Sequence, residues 1–468
     1  MTLGPVDLLI TGGLVALPQG AVPASIAIVG EKISAVIPAA DGVQLPQAAS
    51  TIDATGKDVL PGIIDAHVHF RTESAHADTF QTASASAAYG GVTTIIPFVL
   101  GGDETSLPDH LTRWRLEGER ESVVDFALHA QFQPGSRWLH EVPAAVEMGC
   151  RTVKLMLGYK KRGLMVTDDY LLAAMQNIAS AGAMLMLHCE NGEICDLLED
   201  RLAAEGRTAP EYFHASRPVL AEVEATRRAL AYAEVTGCPL YVVHLTVSEG
   251  LEAIRQAKAN GLPVWTETCP QYLLLTDAEM KRQGPLTKIG PPLRHPEHLA
   301  AMWAGVADGS IDVIASDHAP HTPQAKSPGW ENIFAAPFGM AGTETLLPLV
   351  YSEGVAKRGL GLAWLAKVMS ENPARIFGLY PRKGAIQAGA DADLVIVDPE
   401  RRRTLGAEQL HSAAGYTAFA GWEVHGWPVM TLVRGRVVLQ DGELCQPPGY
   451  GRFLPAGPVG HPQPAIGG

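Results

Sequence analysis

Eight short apolar runs recur along the middle of the chain, and most end in a polar residue. They cover residues 62–67, 92–97, 125–129, 152–157, 184–188, 240–244, 264–268 and 312–317. Near-continuous hydrophobicity of this kind is what parallel strands buried on both faces require. Segments rich in Ala, Leu and Glu separate most of the runs. In one of them, residues 222–234, apolar positions fall three and four apart, the spacing of a helix face. Eight strand–helix alternations with polar chemistry at the C-terminal strand ends predict an α/β fold, a TIM-type (β/α)8 barrel over residues 61–382.

The flanks read differently. Residues 1–60 and 383–445 are strand-rich and punctuated by glycine, with Asp441-Gly442 as a turn signal. Neither flank holds enough apolar residues for a core of its own, so the two ends are expected to pair into one small β-sandwich beside the barrel. Residues 446–468, rich in Pro and Gly, read as an extended C-terminal arm.

Composition narrows the function. The chain has 468 residues, 47% hydrophobic and 18% charged, enough for a large core. A formal net charge of -14 argues against nucleic-acid and anionic-membrane partners. No apolar run is long enough to span a bilayer, and Met1-Thr-Leu-Gly-Pro lacks the basic start of a secretory signal. The six cysteines are scattered without a Cys-x-x-Cys pair, the pattern of reduced core residues in a cytoplasmic protein.

His67 and His69 close the first run. Residues i and i+2 of a strand point to one face, so a single cation could take both imidazoles. Lys154, His188, His244 and Asp317 lie at or near the ends of four later runs. Together these six predict a metal site. A lysine inside an apolar strand has a costly ammonium, and its pKa should fall. The neutral amine can then add carbon dioxide, giving a carbamate that behaves as a carboxylate and can bridge two metals. Asp317 could both ligate metal and shuttle a proton. His129 ends the third run and is read as structural, and His318 and His321 are placed outside the ligand set.

These residues, with Leu60-Pro-Gly-Ile-Ile-Asp-Ala-His67, Gly91-Val-Thr-Thr, Lys154-Leu-Met-Leu-Gly-Tyr159, His188-Cys-Glu-Asn, Pro291-Pro-Leu-Arg294, Ser316-Asp-His-Ala-Pro-His and Asn372-Pro-Ala-Arg, resemble the cyclic amidohydrolases: hydantoinases, dihydropyrimidinases, allantoinases and dihydroorotases. The likeness covers nearly the whole chain. It implies a barrel with a β-sandwich, two divalent metal ions, usually zinc, and a carboxylated Lys154 bridging them. His67, His69 and Asp317 would bind one metal, and His188 and His244 the other. A water activated between the metals would attack a ring amide carbonyl, with Asp317 carrying the proton to the leaving nitrogen.

Within that family, Tyr159 stands where hydantoinases and dihydropyrimidinases have an oxyanion tyrosine. Arg71 and the stretch Ala336-Pro-Phe338-Gly lean toward dihydroorotase. Thr72-Glu73-Ser74 and Gly290 depart from the dihydroorotase pattern, and Lys326-Ser-Pro-Gly-Trp330 is closer to the hydantoinase–allantoinase side. The expectation is a hydantoinase-like cyclic amidase, opening a hydantoin-like ring to an N-carbamoyl amino acid. Allantoinase and dihydroorotase are the alternatives, as is a non-catalytic dihydropyrimidinase-like scaffold. Arg71, Phe70, Phe98, Gly290 and Phe338 are assigned to the substrate pocket. With Leu100 and Leu164-Met165 they suggest an apolar wall suited to an alkyl or aryl substituent. The partner expected is a small cyclic amide, and the assembly a homo-oligomer, tetramer or dimer.

Overall fold

The computed structural model describes residues 4–70, 77–101 and 104–460. The N-terminal flank supplies five strands: β1 (Val6–Leu17), β2 (Gly20–Val29), β3 (Lys32–Pro38), β4 (Ala48–Asp53) and β5 (Asp58–Pro61). β1, β2 and β3 pair antiparallel, whereas β4 and β5 both run parallel to β1.

The barrel follows at once. Its strands are β6 (Ile63–Val68), β7 (Val92–Leu100), β8 (Asp125–Phe126), β9 (His129–Gln131), β10 (Thr152–Met156), β11 (Met184–His188), β12 (Leu240–Val242), β13 (Val264–Thr268) and β14 (Val313–Ile314). All pair in parallel, in the order β14-β13-β12-β11-β10-β9-β7-β6, with β8 also on β7. The seam between β14 and β6 closes through the chain just beyond them. His69 N–H donates to the His318 carbonyl at 2.5 Å, and His318 N–H to that of His67 at 3.2 Å. Asp65 reinforces the seam by accepting from the Ser316 backbone N–H at 3.0 Å and its hydroxyl at 2.6 Å.

The expected runs and the observed strands coincide closely. The third run differs: its pairing lapses between Phe126 and His129, leaving two short strands on the same neighbour. Strand alternation then sorts the side chains. Val153 and Leu155 face the helices in the outer core, and Phe98, Met186, Tyr241 and Trp265 fill the lumen.

The C-terminal flank returns as β15 (Leu394–Thr404), β16 (Glu423–Val433), β17 (Arg436–Gln440) and β18 (Glu443–Leu444). β15 pairs antiparallel with β5, so the two chain ends form one nine-stranded sheet separate from the barrel. Ile10, Ile26, Val59, Leu394 and Leu432 share its core.

Buried ion pairs lock sheet to barrel. Lys383 Nζ lies 2.7 Å from Asp125 of β8, 2.5 Å from Asp393 and 3.0 Å from Asp391. Arg434 also bonds Asp125 and reaches the Tyr450 carbonyl at 2.7 Å. The described part of the arm, 446–460, runs along the barrel rather than into solvent. Leu454 N–H donates to the Phe126 carbonyl at 2.7 Å, and its buried side chain joins the lumen core. No described helix is long and apolar enough to cross a membrane.

Candidate metal centre

Six predicted side chains converge at the C-terminal mouth of the barrel. His67 of β6 and His69, one residue past its end, face the same side, and their Nε2 atoms stand 3.0 Å apart. Asp317, carried by the loop after β14, brings Oδ1 to 3.2 Å from His67 Nε2 and 3.6 Å from His69 Nε2. These three are grouped as cation donors are. Across the lumen, His188 Nδ1 lies 3.0 Å from His244 Nε2, and the His67 and His244 rings are 5.4 Å apart. Lys154, only 1% exposed, holds its Nζ 5.1 Å above the Phe98 ring.

The outward ring nitrogens are fixed by acids. His67 Nδ1 bonds the Glu267 carboxylate, which also takes the Tyr241 hydroxyl at 2.8 Å and the His244 backbone N–H at 3.2 Å. His188 Nε2 bonds Glu190 at 2.8 Å, and Arg217 bonds the same Glu190 oxygen at 2.6 Å. A carboxylate on one ring nitrogen sets the tautomer and leaves the other lone pair turned inward, as metal-ligating histidines require.

Electrostatics point the same way. Burial, aided by Lys154 and His188, drives the His67 imidazole well below its ordinary pKa, and burial with the same kind of neighbours does so for His244. Burial lowers Lys154 to about 8 against the opposing pull of Glu267 and Asp317. Burial pulls the Glu190 carboxyl upward, but Arg217 and His188 outweigh it and hold it at about 2. Neutral imidazoles, an ionisable carboxylate and a neutralisable amine form a donor set suited to divalent metal. Two imidazole nitrogens 3.0 Å apart have at most one proton to share, and a cation between the groups would relieve the crowding.

Backbone strain marks the same residues. Among the described residues only five non-glycine positions have positive φ, and three are Tyr159 (61°), His244 (37°) and Asp317 (50°). Left-handed conformations at such residues cost about 1–3 kcal/mol each and persist only where packing enforces them.

The remaining predicted residues separate. Tyr159 reaches the cleft, with its ring 4.7 Å from His188 and 5.0 Å from Phe338. Its hydroxyl lies 3.4 Å from the Gly290 carbonyl. Burial pushes its pKa upward, so the phenol keeps its proton. Gly290 and Phe338 line the same cleft, which encloses about 580 Å³ with its open mouth. Phe98 lies beneath the site, stacked on His69 at 4.7 Å.

Phe70 does not reach the cleft. The period-two alternation that turns His67 and His69 inward turns Phe70 outward, against Phe80 at 4.8 Å and Trp114 at 6.0 Å. Arg71 lies outside the described residues. His129 has both nitrogens engaged, by the Thr152 hydroxyl at 2.5 Å and the Ala66 carbonyl at 3.1 Å, and burial pushes it down to about 3. His318 bonds Asp78 at 3.1 Å and accepts from Gly342 N–H. His321 bonds the Phe338 carbonyl at 2.9 Å.

Sequence reasoning missed Glu267, Arg217 and Gln131. The signal for Glu267 was present: an acid in the apolar run Val264-Trp-Thr-Glu-Thr is as anomalous as Lys154 in its own strand. Arg217 carried no such mark, because it acts from a loop distant in sequence.

Known proteins match this chain along nearly its whole length. The profile of the Amidohydrolase family fits residues 59–438. The L-hydantoinase of Paenarthrobacter aurescens is 37% identical over 440 residues, spanning 93% of this chain and 95% of that one. The D-hydantoinase of Rhizobium radiobacter is 34% identical over 456 residues, spanning 96% and 98%. The crystal structure of the dihydropyrimidinase from Brevibacillus agri NCHU1002 superposes with a TM-score of 0.92 at 32% identity, covering 97% of this chain and 99% of that one.

Proposed function

The chain belongs to the amidohydrolase family, and from that premise we propose that its cleft opens a hydantoin-like ring to an N-carbamoyl amino acid. It is a metal-dependent hydrolase of cyclic amides. The observation that carries the finer reading is the pairing of four imidazoles, each pair 3.0 Å across, around Lys154 and Asp317.

His67, His69 and Asp317 would hold one divalent cation, His188 and His244 a second, and a carbamate on Lys154 would join them, with zinc the first expectation. When bound, such ions supply positive charge that acidifies water near neutral pH and polarises a carbonyl. The chain does the rest. Glu267 and Glu190 keep the imidazoles oriented. The Tyr159 phenol, protonated and beside Gly290, donates to the oxygen that becomes anionic when the ring carbonyl is attacked. Asp317 takes the proton of the attacking water and returns it to the ring nitrogen as the C–N bond breaks. Leu100, Met156 and Leu164 give the cleft an apolar wall for the rest of the substrate.

Six cysteines without a disulfide, five of them buried, support a reducing compartment, and we place the enzyme in the cytoplasm as a homo-oligomer. Sedimentation analysis tests the assembly. The activity is tested by following ring opening of hydantoin, 5-substituted hydantoins, dihydrouracil, allantoin and dihydroorotate with zinc-loaded protein. Hydantoins are expected to turn over fastest. Preference for dihydroorotate, lost on Arg71→Ala, would overturn the choice of ring.

A further inference from the structure

One polar side chain in the cleft has no counterpart in this scheme. Gln131 ends β9 and is 3% exposed, yet its amide oxygen is buried without a hydrogen-bond partner. Native interiors rarely leave such an acceptor unmet, and a ligand donor is one way of meeting it. Strand register fixes where Gln131 points. It sits opposite Lys154 of β10 on one side and Leu100 of β7 on the other. Directly paired residues of neighbouring strands share a face. Lys154 and Leu100 both line the cleft, and so does Gln131. The residues one step away, Ala130, Val153 and Val99, all lie in the outer core.

Position assigns this group to the substituent rather than to the reacting ring. In the closed order of strands, β9 faces β13 across the lumen. The loops after β13 and β14 carry Gly290 and Asp317 of the reacting side, whereas Tyr159 follows β10, the neighbour of β9. Gln131 stands away from Gly290 and Asp317, between Leu100 of β7 and the β10 strand of Lys154 and Met156, where Leu100 and Met156 would meet whatever projects from the ring. That wall is therefore not uniformly apolar: it offers one acceptor among alkyl groups.

Resting on the hydantoinase reading above, we propose that Gln131 is a specificity-determining residue, whose amide oxygen accepts from an N–H or O–H donor on the ring substituent. The substrate class is then a hydantoin-type ring with a short amide-, ureido- or hydroxyl-bearing side chain. The expectation of a purely alkyl or aryl substituent is narrowed accordingly.

A pair of substrates matched in heavy-atom shape tests this: 5-(carbamoylmethyl)hydantoin and 5-isobutylhydantoin, each as kcat/KM with the zinc-loaded enzyme. Gln131→Met, which keeps length and removes the acceptor, should shift the ratio toward the isobutyl compound by about tenfold or more. The melting temperature of Gln131→Met without substrate should equal or exceed that of the parent, since an unmet acceptor is removed. If both compounds are hydrolysed and the ratio stays within about threefold, Gln131 does not read the substituent. If Gln131→Met melts well below the parent or fails to fold, the amide is structural and the proposal falls. If the parent enzyme opens neither hydantoin yet opens another cyclic amide, the fault lies in the choice of ring, a separable result.

Discussion

A Cβ placed on Gly290 would stand 2.2 Å from the Tyr159 hydroxyl. The absence of a side chain at one position therefore sets the seat of the phenol at another. The neighbouring Phe338 ring, 3.1 Å from the same point, blocks retreat in its own direction. Gly290→Ala should displace the phenol and lower kcat more than affinity. The loss should approach that of Tyr159→Phe, on the order of 100-fold for one oxyanion donor. The double variant should be little worse than either single one, because both remove the same interaction. Steady-state kinetics of the three variants decide it, and additive losses would uncouple Gly290 from the phenol.

Asp317→Asn keeps an oxygen near His67 and His69 but loses the site that accepts a proton. Turnover should fall by about 10²–10⁴-fold, the range of a lost general base. Melting temperature should change little, and much of the metal should remain. Near-normal turnover in this variant would assign the proton transfer elsewhere.

Lys154→Ala removes the group placed between the two histidine pairs. Metal content and activity should disappear together. The loss of metal affinity should exceed the roughly 10–100-fold that follows removal of an outer hydrogen-bond partner. Elemental analysis of protein purified in excess zinc provides the readout. A folded variant retaining two ions would exclude Lys154 as the bridge.

Away from the cleft, Lys383 is 1% exposed along its side chain and faces Asp125, Asp391 and Asp393. Lys383→Met would leave these acids without their shared cation, and stability at pH 7 should fall by about 3–5 kcal/mol. Burial pulls the Asp391 carboxyl upward, but Lys383, with hydrogen bonds from Lys32 and Arg382, outweighs it and holds it at about 2. A carboxyl held below its ordinary value of 3.8 stabilises the fold above that pH and ceases to do so as pH drops through about 2. Burial raises the Asp393 carboxyl even against Lys383, so the gap between parent and variant should be largest at neutral pH. It should begin to shrink above the ordinary carboxylate range as Asp393 takes its proton, and close as pH falls through the range of Asp391. Denaturant titrations at several pH values would show it. A gap independent of pH would mean that packing, not charge, dominates.

The strand–helix rhythm made the barrel legible, because buried parallel strands must be apolar on both faces, and their polar ends then stand out. His67, His69, Lys154, His188, His244 and Asp317 were visible for that reason. What stayed hidden depends on relations that local pattern does not encode. Phe70 was assigned to the pocket from its neighbours, whereas the phase of β6 turned it outward. Gln131 lies beyond the 125–129 run, and only the register with Lys154 and Leu100 shows which way it faces. Arg217 meets Glu190 through a fold-level encounter across 27 residues.

The nine-stranded sheet joins β5, ending at Pro61, to β15, beginning at Leu394. A ribosome emits the chain from one end, so β5 leaves the exit tunnel long before its partner is made. At 5–20 residues per second the wait is on the order of 20–70 s. Through that interval β5 can pair with β1 alone, and its other edge stays available to whatever strand arrives first. Most barrel strands are adjacent in sequence order to both neighbours in the sheet and face no such delay; β6 waits for the chain after β14, a shorter stretch than separates β5 from β15. Nascent chains arrested between Pro61 and Leu394 would therefore be the species most in need of a chaperone, and the edge of β5, which waits longest, the place to look for it.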